Sequence, residues 1–206
     1  DVLGSRGLGD VYKRQILDYG GVIQALCVPD RTGALVDVSL GYDDLSGYLQ
    51  GSAHLGASLG RYANRICGAS FPLLGKTISL TPNSGDNCLH GGSQGFDRYL
   101  WAAQVQGDTL ALRRTSPDGE AGFPGNLQAE ITYTLLPDNS LRITYQAQTD
   151  MPTVVNLSNH CYFNLAGQGN GQILDHILTV SGDAYTETDP SMHTLSLIHI
   201  SAPTRP

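Results

Sequence analysis

"LQAEITYTL" (127–135) and "LRITYQA" (141–147), joined by "LPDNS" (136–140), decide the fold class. In the first arm Leu127, Ala129, Ile131, Tyr133 and Leu135 alternate with Gln128, Glu130, Thr132 and Thr134. In the second, Leu141, Ile143, Tyr145 and Ala147 alternate with Arg142, Thr144, Gln146 and Gln148. A period of two sends successive side chains to opposite faces of an extended chain, so each arm is a strand with one apolar and one wet face. Pro137, Asp138, Asn139 and Ser140 supply the turn of an antiparallel hairpin.

The same reading extends outward. Residues 71–80 form a second hairpin around Gly75, and 101–105 with 109–113 a third around Gly107 and Asp108. Further strands are expected at 23–28, 36–40, 154–160 and 173–180, whereas helical spacing is confined to 44–49. There is no internal repeat, low-complexity tract or linker. A chain of 206 residues is one domain or a large part of one. Many short strands separated by turns predict an all-β fold, a large antiparallel β-sandwich.

Composition narrows the function classes. Hydrophobic residues make up 40%, charged residues 15%, and 25 glycines and 10 prolines suit a turn-rich globular chain. A net charge of −7, with 12 scattered Lys and Arg, offers no basic stripe, so no nucleic-acid partner is expected. No apolar run approaches the roughly 20 residues of a membrane span, and no leader opens the chain, so the expectation is a cytoplasmic protein without membrane attachment. A leader lost with the start of the chain would leave no trace in it. Cys27, Cys67, Cys88 and Cys161 form no CxxC pair and are expected as free thiols. Cys88-x-His90 and His160-Cys161 are poor zinc pairs, because adjacent strand residues face opposite ways, and no metal is expected.

The two ends differ from the rest. "LGDVYKRQ" (8–15) and "SLIHISAPTRP" (196–206) resemble in-frame translations of sequencing adaptors. Residues 1–15 and 195–206 are therefore set aside as artefact, leaving 16–194 as a partial sandwich domain, incomplete at its C-terminus. On this reading the natural gene product continued past Thr194.

Three polar clusters interrupt the apolar pattern. "VNLSNHCYFNLA" (155–166) sets His160 among Asn156, Asn159 and Asn164, which are poor strand formers suited to bonding backbone or ligand. "GRYANRICG" (60–68) places Arg61, Asn64 and Arg65 among small and apolar residues, and "NCLHGG" (87–92) puts His90 before two glycines. Each has a structural alternative: a satisfied histidine near a strand end, a buried ion pair for Arg65, a turn histidine at 90.

Taken together, "GRYANRI" (60–66), "LHGG" (89–92) with "GFD" (95–97), "SPDGEAGFPG" (116–125) and "VNLSNHCYFNLAG" (155–167) resemble the aldose 1-epimerase (galactose mutarotase) family. "YGGVIQALCVPDRTG" (19–33) and "ILDHILTVSGDAYTETD" (173–189) extend the resemblance over nearly everything between the two ends. It implies a large antiparallel β-sandwich with an open sugar cleft, acting on a monosaccharide without cofactor. It further implies that Asn64 and Arg65 bind substrate hydroxyls, that His90 contacts the sugar, and that His160 is the proton donor with Tyr162 beside it. Ser158 and Cys161 depart from the motif, but both are small. Phe163 is assigned to the core. The family's general base, a Glu, and a second substrate carboxylate, an Asp, are expected beyond residue 194, so Asp175, Glu187 and Asp189 receive no catalytic role. The expected activity is interconversion of α and β aldohexose anomers by the parent protein, with this chain alone inactive and its oligomeric state open. Alternatives are a non-catalytic sugar-binding protein on the same fold and a hexose-6-phosphate 1-epimerase, for which the acidic composition offers no extra cations.

Overall fold

A computed structural model describes residues 2–6, 13–138, 140–182 and 188–189. Four strands, β1 (Val2–Arg6), β2 (Lys13–Leu17), β3 (Val22–Pro29) and β4 (Leu35–Asp37), form one antiparallel sheet in chain order. A six-residue helix, α1 (Leu45–Gln50), follows. Asp44 caps it, its carboxylate accepting from the Gly47 N–H at 3.2 Å. The middle of the chain is short pairings. These are β5 (Ser58–Leu59), β6 (Arg65–Ile66), the hairpin β7 (Ser70–Leu73) and β8 (Lys76–Ser79), and β9 (Cys88–Leu89), which pairs with β6. Strands β10 (Ala102–Gln106), β11 (Thr109–Ser116), β12 (Leu127–Leu135) and β13 (Leu141–Thr149) make the second four-stranded sheet, and β14 (Ser158–Asn159) returns to pair with β5.

The hairpin that announced the fold is the heart of this second sheet. Ile131 lies opposite Tyr145 and Tyr133 opposite Ile143, and the alternation along β12 buries Leu127, Ala129, Ile131 and Tyr133 while Gln128 stays exposed. Those side chains meet Ile16 and Ile23 of the first sheet, together with Phe96, Trp101, Leu110 and Leu112, in one core. Two antiparallel sheets sharing an apolar interior make the expected sandwich. Burying each such side chain contributes roughly 1.5–3 kcal/mol, the main favourable term here. At the centre, the Tyr133 hydroxyl donates to the Gly21 carbonyl (2.7 Å) and lies 2.8 Å from Ser58 Oγ, so its polar tip is satisfied.

Several expectations change. Residues 173–180 form no strand among the described residues: Ile177 is 94% exposed, and no ladder partner satisfies its backbone. Of 154–160 only Ser158 and Asn159 join a ladder, with an isolated bridge from Asn156 to Tyr62, because the asparagine side chains bond neighbouring backbone instead. Phe163 is 50% exposed rather than in the core, facing a cavity of about 610 Å³ that it lines with Leu40, Tyr162 and Leu174. Residues 13–15, set aside with the N-terminal end, lie in β2, where Arg14 is buried and donates to the Asp108 carbonyl. Residue 1, residues 7–12, Glu187 and 195–206 lie outside the described residues.

Candidate active site

Short pairings, not the large sheets, carry the polar residues. The ladder of β6 with β9 sets Arg65 opposite Leu89, so the chain on either side of it, Asn64 and His90, is brought together. The two are locked reciprocally: the His90 N–H donates to the Asn64 carbonyl (3.1 Å), and the Asn64 N–H donates to His90 Nδ1 (3.0 Å). Both have left-handed backbones, φ +69° at Asn64 and +55° at His90, a conformation these residue types tolerate better than most. Gly91 explains the glycines after the histidine, for a Cβ there would lie 1.9 Å from the Gly60 carbonyl oxygen.

His160 arrives from the other ladder. Its N–H donates to the Ala57 carbonyl (2.8 Å) and its carbonyl accepts from the Gly56 N–H (3.0 Å). Asn159 Nδ2 donates to the Gly56 carbonyl (2.9 Å), and Asn156 Nδ2 to that of Ala63 (3.0 Å). The asparagines around His160 are thus the clamps that hold its irregular segment against 56–63.

The result is a group of rings. His90 and His160 have centroids 5.2 Å apart, and Tyr162 is 5.1 Å from His160 on its other side. A third imidazole, His54, lies 5.1 Å from His90 and 5.8 Å from His160. His54 Nδ1 is 3.0 Å from an Asp97 carboxylate oxygen that also accepts from Arg98 Nε at 3.0 Å. Asn64 Oδ1 accepts from the Arg65 N–H (2.9 Å), which leaves its amide NH2 as the uncommitted donor. All five residues singled out from the sequence, His160, His90, Asn64, Arg65 and Tyr162, therefore belong to one neighbourhood. His54 and Asp97 escaped that reading. A lone His in "SAHLGA" carries no spacing signal, and Asp97 was seen only as part of a motif.

Burial, then the charges of His54 and His160, push the His90 imidazole down to about 4; Asp97 opposes this and Arg65 adds to it. Burial, then His54, lowers His160 as well. Both rings are neutral near pH 7, each with one N–H to give and one lone pair to receive. Cys88 and Cys161 are pushed by burial up to about 11, so neither is a thiolate at neutral pH. Among the described residues, no group of three His, Cys, Asp or Glu is arranged to hold a metal ion. No helix among them is long and apolar enough to cross a membrane.

Arg61, four residues from Arg65, does different work. Its guanidinium is buried and donates to Ser116 Oγ and carbonyl (2.8 and 2.9 Å) and to the carbonyls of Pro117 (2.7 Å) and Pro124 (2.9 Å). It fastens the loop between β11 and β12 to the strand region that bears the site.

Fold and site together are an antiparallel sandwich with paired histidines, an arginine and an open amide beside its short ladders, and comparison with known proteins gives the family. The chain belongs to the aldose 1-epimerase family, whose model matches residues 9–205. It is 47% identical to the galactose mutarotase of Bos taurus over 180 residues, 87% of this chain and 52% of that protein. It is 40% identical to the aldose 1-epimerase of Escherichia coli K12 over 175 residues, 84% of this chain and 50% of that protein. The crystal structure of a GalM/aldose epimerase homologue from C. elegans superimposes with a TM-score of 0.90 at 27% identity, covering 98% of this chain and 62% of that one. The chain thus spans about half the length of the curated relatives it matches.

Proposed function

We propose that the protein to which this chain belongs interconverts the α and β anomers of an aldohexose such as galactose or glucose. One observation carries the reading: two ladders deliver His90 and His160 to within 5.2 Å of each other beside Arg65, on backbone fixed by hydrogen bonds. Anomer exchange opens the hemiacetal, turns the C1–C2 bond and recloses the ring on the other carbonyl face. A proton goes to the ring oxygen while one leaves the C1 hydroxyl, and both return on closure. His160 gives and retakes the first proton. Arg65 and the Asn64 amide hold hydroxyls, and His90, whose Nδ1 is occupied by the Asn64 N–H, donates from Nε2. No electrons move and no group leaves, so the chemistry calls for neither cofactor nor metal.

The base that takes the C1 proton is assigned to the half of the family's length that this chain does not span. Asp97, the carboxylate that bears on the charge of the imidazoles, is already engaged by His54 and Arg98. A carboxylate brought to the cleft would raise the His160 pKa toward neutrality and sharpen its fitness as donor. The 206-residue chain alone is accordingly expected to accelerate mutarotation little.

Polarimetry tests this. The parent protein read to family length should speed the approach of pure α-galactose or α-glucose to anomeric equilibrium. His160→Asn should lose about 10²-fold or more of that rate with sugar binding still detectable. Equal rates in the two proteins would remove His160 from its role, and binding without acceleration by the unaltered protein would make this a sugar-binding module.

A further inference from the structure

Two imidazoles were legible in the sequence, but the structure gathers three. His54 sits in the turn between α1 and β5, where the Ala57 N–H donates to its carbonyl (3.0 Å). Its Nδ1 faces the Asp97 carboxylate at 3.0 Å, and Asp97 is 6% exposed. Arg98 holds that carboxylate with Nε and uses its other nitrogens on the carbonyls of Leu49 (3.2 Å) and Gly51 (2.9 Å) at the end of α1. A carboxylate fixed against Nδ1 keeps the proton there and leaves a lone pair on Nε2. His90 has the opposite arrangement, because Nδ1 accepts from the Asn64 N–H and the proton must reside on Nε2. Two rings of opposite tautomer thus adjoin the third, His160, with all three centroid separations between 5.1 and 5.8 Å.

We propose that His54 is a positioning residue of the sugar site: oriented by Asp97, it fixes the surface against which His90 and His160 stand. The catalytic meaning of this arrangement rests on the function proposed above, but the arrangement itself is a property of this chain. The groups that face the imidazoles act in known directions. Asp97, from the turn Phe96–Arg98, favours a charge on His90 and on His160, whereas Arg65 on β6 disfavours one on His90. Burial disfavours a charge on both His90 and His160, and His54 adds to this at each. Arg98 is spent on Asp97, and Tyr162 flanks His160 on the far side. Like charges this close cannot be taken up independently, so His90 and His160 do not titrate as isolated sites.

Imidazole NMR on the 206-residue chain tests the proposal without any sugar. Nitrogen shifts should show His54 with its proton on Nδ1 and His90 with its proton on Nε2. Between about pH 8 and about pH 3, the curves of His90 and His160 should each depart from a single-site curve. In His54→Gln, which keeps a donor toward Asp97 but no charge, both should titrate at higher pH than in the unaltered chain. Unmoved titrations in that variant would leave His54 a packing residue and overturn the proposal. Should the variant fail to fold, independent single-site curves for His90 and His160 in the unaltered chain would overturn it equally. Because neither measurement depends on turnover, failure of mutarotation in the longer protein would be a separate result.

Discussion

The hairpin at 127–149 and the segment at 154–180 contain similar amounts of strand-forming residues, yet the structure treats them oppositely. In the hairpin, nine consecutive residue pairs are in register and Tyr133 and Leu127 are fully buried. In the later segment, two residues join a ladder and Leu174, Ile177 and Leu178 are each more than 80% exposed. The difference is not propensity. A strand is stable only when its backbone groups find a ladder and its apolar face finds a second layer, and both come from elsewhere in the chain. The hairpin has its own second arm, β11 beyond it and the first sheet above it. Nothing among the described residues provides this for 173–180.

Paired truncations sharpen the contrast most. Ile131→Ala removes a side chain that is 1% exposed and should cost about 2–5 kcal/mol of unfolding free energy. Ile177→Ala, at 94% exposure, should stay within about 0.5 kcal/mol. Urea midpoints of the two variants and the unaltered chain measure both. A large loss at Ile177 would mean that the segment is packed in solution, and the comparison would fail.

Acid should separate the site from the sheets by a smaller amount. The folded pKa of His90 lies at about 4, below the ordinary imidazole value near 6.5, so the unfolded chain binds the extra proton first. Stability is therefore fully present above about pH 6.5 and falls as pH drops toward about 4, with His160 acting in the same direction. Partial solvent screening limits the loss to on the order of 1–2 kcal/mol. Urea midpoints between about pH 7.5 and about pH 5 should show this slope, and His90→Asn, which suits the left-handed backbone, should flatten it. An unchanged slope in that variant would place the acid sensitivity elsewhere.

What could be read in advance follows the range of the interactions. The hairpins and the short helix were legible because turn chemistry and side-chain periodicity act over a few residues. The candidate site was legible through motif resemblance, and local physics alone left His90 and His160 open to structural roles. Arg61 and Arg65 show the limit. They share one motif and one chemistry, and only the position of Ser116, Pro117 and Pro124, more than fifty residues away, makes Arg61 the buried clamp. His54 was invisible for the same reason, since its partner Asp97 is 43 residues distant. The strand expected at 173–180 finds no pairing neighbour among the described residues, and no local pattern records that.

The smallest effect tests the local side of this distinction. The β7–β8 hairpin turns through Leu74 and Gly75, both with positive φ, +48° and +75°. Glycine belongs at such a position, but leucine there bears a backbone conformation that its Cβ disfavours, and its side chain gains nothing in return at 79% exposure. Asn tolerates that conformation far better and loses no packing here, so Leu74→Asn should raise stability by about 0.5 kcal/mol. If turn chemistry is a purely local term, the gain will be the same in the unaltered chain and in Ile131→Ala, because separated sites without shared partners add. A gain that vanishes in the core variant would show that even this turn takes its conformation from the sandwich, and that the hairpins are less autonomous than their sequences suggest.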